Sequence, residues 1–98
     1  MPTFLDIINS NTPALVDFSA QWCGPCKTMK PILEELKTKI GNKAIILKVD
    51  IDKNQQVAND YAIKSVPTLI LFIKGEIKWR QSGVVPTDTL QKIILQYT

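Results

Sequence analysis

The chain has two cysteines, Cys23 and Cys26, and they stand three positions apart in the stretch "AQWCGPCKT" with Gly24 and Pro25 between them. Such a pair can serve as a staple, as half of a metal site or as a redox couple. At 98 residues the chain is long enough to bury one core without a covalent staple, and it is expected to be a single domain spanning 1–98. Histidine is absent. That excludes a Cys–His nucleophile pair, a Ser–His–Asp triad and any imidazole metal ligand. Two thiolates alone do not complete a tetrahedral zinc site, so a four-thiolate site would need a second chain. A dithiol–disulfide couple is the reading that uses both cysteines within one chain; two buried inert thiols and a shared zinc site stand as the alternatives.

The spacing suits the redox reading. Cys23 falls between a strand-like run and a long helical pattern, in the cap region, with Gly24, Pro25 and Cys26 in the first turn. Proline is at home there, because a first-turn N–H has no intrahelical acceptor. Residues three apart on a helix are neighbours, so a small adjustment of one turn can make or break an S–S bond. The helix start also supplies unpaired N–H donors and the positive end of the macrodipole, both of which stabilise a thiolate. Cys23, nearer the helix end, is expected to be the more exposed and to attack a substrate disulfide. Cys26, one turn inward, would resolve the mixed disulfide.

Two further polar residues interrupt apolar runs. Asp17 sits inside "LVDFSA", where a buried strand should be hydrocarbon. A buried carboxylate is costly unless paired. Either it faces solvent, or it accepts the proton that the Cys26 thiol must lose. Lys48 interrupts "AIILKVDI" in what reads as a neighbouring strand, and either partners Asp17 or extends from the sheet rim into water.

These residues need elements to hold them. "TFLDIINSN" starts a short helix with Thr3 as N-cap and Phe4, Ile7 and Ile8 on one side. Ala14–Ala20 reads as a buried central strand. Cys26 to Ile40 carries Met29, Ile32, Leu33, Leu36 and Ile40 at helical spacing, with Gly41 as the stop. Lys43–Ile51 is a second strand, and Asn54 to Ala62 a short polar helix with Val57 and Tyr61 inward. Thr68–Lys74 is a third strand, which Lys74 and Gly75 turn into the hairpin partner "EIKWRQSG". Trp79 in that partner is a cross-strand packing residue. Pro86 and Thr87 open a last helix with the stripe Leu90, Ile93, Ile94 and Tyr97. The order is α-β-α-β-α-β-β-α, which predicts an α/β fold with parallel pairings early and an antiparallel hairpin closing the sheet. Pro67 opens the third strand, where a missing N–H is tolerated, and trans is the ordinary expectation for the peptide bond before it.

Charge points away from nucleic acid. Twelve basic side chains face nine acidic ones, for a net charge of +3, and the lysines are scattered rather than clustered. No run reaches the ~18 apolar residues of a membrane span. The start of the sequence lacks the basic and apolar regions of a signal peptide, so a reducing, cytoplasmic location is expected.

Taken together these residues resemble the thioredoxin family. "WCGPC" at Trp22–Cys26, "LVDF" before it, Pro31 in the following helix, "VPTL" at Val66–Leu69, Gly75 and Gly83 fall in the family's order and spacing. The likeness covers about residues 14–97. It implies the thioredoxin fold, a central mixed four- to five-stranded sheet flanked by helices on both faces. It implies a protein-disulfide reductase in which Cys23 is the nucleophile, Cys26 the resolving thiol, and Asp17, aided by Lys48, the buried acid/base. Pro67 would be cis and face the cysteines, leaving the Val66 backbone free to pair with an extended substrate. Trp22, Gly24, Pro25, Val66, Pro67, Thr68 and Gly83 would form the docking surface. The implied partners are disulfide-containing proteins and a flavin-containing thioredoxin reductase that draws on NADPH; the chain itself would bind neither cofactor nor metal and would be a monomer. Gly-Pro between the cysteines resembles the reducing members of the superfamily. Two features depart from the family: Ser19 stands where tryptophan is usual, and the strand that normally precedes "LVDF" is not visible, which favours four strands over five.

Overall fold

The computed structural model describes residues 3–98. Helix α1 (Phe4–Ile8) starts at the expected cap: Thr3 Oγ1 accepts from the Asp6 N–H at 3.1 Å, and Asp6 Oδ2 accepts from the Thr3 N–H at 3.0 Å. Strand β1 (Ala14–Ser19) follows, then α2 (Gly24–Ile40), β2 (Ile45–Asp50), α3 (Gln55–Asp60), β3 (Thr68–Ile73), β4 (Glu76–Ser82) and α4 (Thr87–Leu95). Cys23 caps α2 and Gly41 ends it in the left-handed region, at φ +58°.

The described residues form a four-stranded sheet in the order β2-β1-β3-β4. Only β1 and β2 are parallel; β3 is antiparallel to both β1 and β4. The expected run of early parallel pairs therefore stops after the first. The register explains why. Ser19 lies beside Asp50 and Phe18 beside Thr68, so β3 begins at the end of the sheet where β2 stops. The long α2 carries the chain back along the sheet for a parallel return. The six residues of α3 span roughly 9 Å, less than half of the ~20 Å length of a six-residue strand, and the chain re-enters the sheet at the end it left.

Every residue of β1 is buried, because helices cover both faces. Leu15, Leu69 and Leu71 meet Met29, Leu33 and Leu36 of α2 and Leu90 and Ile94 of α4. On the other face Val16, Phe18, Ile70 and Phe72 meet Ile8, with Phe4 and Tyr61 closing an edge-to-face aromatic cluster. Trp79 stands opposite Leu71 across the hairpin and packs on the first of these layers, as expected. Tyr97 does not join the α4 stripe: the helix ends at Leu95 and the ring is exposed.

Candidate active site

Cys23 and Cys26 are joined in a disulfide with Cα atoms 5.3 Å apart. Cys23 has extended backbone, φ −91° and ψ 114°, and its Sγ accepts the Cys26 backbone N–H at 3.1 Å. The sulfur thus occupies the place that a hydroxyl or carboxylate takes in an ordinary helix cap. That N–H and the positive end of the α2 dipole would favour a thiolate on Cys23 once the bond opens.

The expected difference in exposure is corrected here. Both cysteines are 4% exposed, because Ala20, Ile51 and Val66 pack around the pair. What separates them is what each faces. Cys23 Sγ lies 3.5 Å from the Val66 carbonyl oxygen. Cys26 borders a cavity of about 260 Å³ shared with Lys27, Lys30 and Lys48.

The docking residues fall into two sets. Trp22 is 69% exposed and is held by a hydrogen bond from its Nε1–H to Asp52 Oδ2 at 2.9 Å. Gly24 and Pro25 are exposed, and Val66 and Gly83 are partly so. Pro67 and Thr68 are buried. The Val66–Pro67 peptide is cis, and the Pro67 carbonyl accepts the Gly83 N–H at 2.8 Å, with Gly83 at φ +92°. The Thr68 hydroxyl donates to the Ser65 carbonyl at 2.6 Å and meets Ser82 Oγ at 3.0 Å. It holds the loop that carries Val66 rather than offering a contact.

Asp17 is 1% exposed, and its Oδ1 has no hydrogen-bond partner. Lys48 is its register partner on β2, but among the described residues the two form no ion pair. Burial pushes the Asp17 carboxyl up to about 6, and the nearby Lys48 charge opposes the rise. Asp17 and Cys26 border adjoining cavities that share Lys30 and Lys48. A proton could pass between them through water in that cleft.

Two contributors were not foreseen. Lys30 follows Cys26 by four positions on α2, so helical spacing already places it on the same face. Asp52, which anchors Trp22, is thirty positions from it, and no local pattern connects them. No cluster of three or more His, Cys, Asp or Glu side chains suited to a metal ion occurs among the described residues. No described helix is long and apolar enough to cross a membrane.

Comparison with known proteins agrees with this geometry. The thioredoxin family model matches residues 2–96. A thioredoxin of Bacillus subtilis is 44% identical over 80 residues, covering 82% of this chain and 77% of that protein. A bifunctional thioredoxin reductase/thioredoxin of Mycobacterium leprae is 45% identical over 73 residues, which are 74% of this chain and 16% of that protein. The solved structure of a mutant thioredoxin from Halobacterium salinarum NRC-1 superposes with a TM-score of 0.85 at 39% identity, covering 95% of this chain and 80% of that one.

Proposed function

The chain belongs to the thioredoxin family and is a dithiol–disulfide oxidoreductase, and we propose that it reduces protein disulfides by the following division of labour. In the reduced form the Cys23 thiolate attacks one sulfur of a substrate disulfide. A Cys23–substrate mixed disulfide forms, and the other substrate sulfur leaves as a thiolate. Cys26 then gives its proton to Asp17 and attacks Cys23 Sγ. The Cys23–Cys26 bond closes, and the second substrate sulfur is released. The substrate is oxidant and this chain the two-electron reductant.

The observation that carries the reading is the disulfide itself, capping α2 beside the Val66 carbonyl. A carboxyl titrating at about 6 suits a proton acceptor working near neutrality. An extended substrate would lie along Val66, flanked by Trp22, Gly24, Pro25 and Gly83, with Pro67 and Thr68 shaping the floor. Lys48 and Lys30 would hold water between Asp17 and Cys26. The electrons would return from NADPH through a separate flavin-containing thioredoxin reductase; the fused reductase and thioredoxin of Mycobacterium leprae support such a partner. A reducing, cytoplasmic setting belongs to the same proposal.

The test is the reduction of insulin disulfides by dithiothreitol with and without the protein, together with trapping by single-cysteine variants. The parent should accelerate the reaction. Cys26→Ser should accumulate mixed disulfides with substrate and Cys23→Ser almost none. Equal trapping by the two variants would overturn the division of roles.

A further inference from the structure

Asp17 and Ser19 are two residues apart on β1 and so share the sheet face that carries Leu15 toward α2. Lys48 and Asp50 stand beside them in register on β2, continuing the face of Ile46. Toward the ends of these strands the surface under α2 changes from hydrocarbon to a polar block of four side chains. Among the described residues, the buried side-chain oxygens without a hydrogen-bond partner are Asp17 Oδ1 and Ser19 Oγ, and both lie in this block.

A buried hydroxyl or carboxyl without a protein partner calls for water where there is polar room for it. Ser19 borders a notch of about 290 Å³ closed by Ala20, Gln21, Lys48 and Asp50. The cavity against Cys26 shares Ala20, Gln21 and Lys48 with that notch. The space over Asp17 is smaller, about 180 Å³, and Leu33 and Ile46 help make it mostly apolar. Its polar edge, where Lys30 and Lys48 border both this space and the cavity against Cys26, is the part that suits water. Lys48 borders all three. Each catalytic cycle must also clear a proton from Asp17, a residue 1% exposed.

We propose that Ser19 is a positioning residue for disulfide exchange: its hydroxyl seats water in the notch beside Asp50, and that water, continuing past Lys48, carries protons between solvent and the Asp17–Cys26 pair. The inference rests on the reading of Asp17 as proton acceptor. The other charges around Asp17 are Lys48 and Asp50 on β2 and Lys30, Glu34 and Lys37 on α2; β3 and α4 present Leu69, Leu71 and Leu90, which do not titrate.

The experiment follows the Asp17 carboxyl by carbon-13 NMR in the oxidised protein. Beside it, the pH dependence of single-turnover reduction of a disulfide peptide is measured. Both use the full chain. S19W fills the notch with an indole. It should raise the Asp17 midpoint by about one pH unit, tenfold in proton affinity, and move the acid limb of the rate profile up with it. S19A keeps the room but removes the hydroxyl, and should shift both in the same direction by less. S19V serves as the filling variant if S19W does not fold. A filling variant that alters the melting temperature but leaves the Asp17 midpoint in place overturns the proposal, since that is packing alone. S19A identical to the parent removes the hydroxyl from it and overturns the assignment to Ser19. D17N with a parental rate and limb would instead sink the reading of Asp17 as the acceptor, while the NMR midpoint still decides what Ser19 does.

Discussion

Replacing Asp17 by asparagine separates the cost of burying a charge from its use. The carboxyl is 1% exposed, has one oxygen without a partner, and titrates at about 6 rather than 3.8. The folded state therefore binds the proton more tightly than the unfolded chain. Stability falls as pH rises from about 4 through 6 and is level above that. A rise of about two units, at roughly 1.4 kcal/mol each, puts the cost near 3 kcal/mol at pH 7. Asparagine keeps the shape and removes the charge, but its amide adds donors, and an orphaned one costs about 1–3 kcal/mol. D17N should thus gain up to about 2 kcal/mol at pH 7 and be level with the parent or less stable at pH 4, a difference of about 3 kcal/mol between the two pH values. At about 4–8 °C per kcal/mol for a domain of this size, the change is easily seen. Urea melts of the oxidised protein at the two pH values keep thiol titration out of the comparison. The same variant should reduce insulin roughly ten- to a hundredfold more slowly, at or below the lower end of what a positioned proton-transfer group contributes. A gain of equal size at both pH values, or a loss at pH 7, would refute the argument from buried charge.

The remaining expectations concern the frame. Phe72 is fully buried and meets Phe4 and Tyr61 edge to face, so Phe72→Ala should cost about 3–5 kcal/mol in a denaturant melt; a loss below 1 kcal/mol would mean that the aromatic cluster is not packed as described. Gly83 sits at φ +92° with nothing near the place a Cβ would take, so Gly83→Ala pays for backbone conformation alone, about 1–3 kcal/mol. It should also weaken trapping of substrate by the Cys26→Ser protein, and unchanged trapping would remove Gly83 from the docking surface.

Much of the site is local and can be read along the chain. A cysteine, a glycine, a proline and a second cysteine at the start of an apolar-striped helix make a cap and a first turn wherever the helix ends up, and the contact from Cys26 N–H to Cys23 Sγ is a consequence of three-residue spacing. The Thr3 cap and the Gly41 stop are local in the same sense. Asp17 was visible because one polar residue interrupts an apolar run. The misreading of Tyr97 shows the limit of periodicity: the stripe continues in the letters, but the helix ends at Leu95, and the ring stays outside the core.

Tertiary structure decided whatever depends on groups far apart in the chain. Periodicity says that a strand exists but not which way it runs; the direction of β3 follows from where the chain re-enters the sheet, at the end where β2 stopped. Cys23 is as buried as Cys26 because Val66, forty-three positions away, is folded over it. Trp22 is anchored by Asp52 across a loop. Lys48 aligns with Asp17 yet does not close on it, and this leaves a carboxyl that titrates at about 6 rather than a salt bridge. Residue types and short spacings determine which chemistry is available. Burial and long-range register determine the electrostatics under which it runs, because both are set by chain segments that meet only after folding.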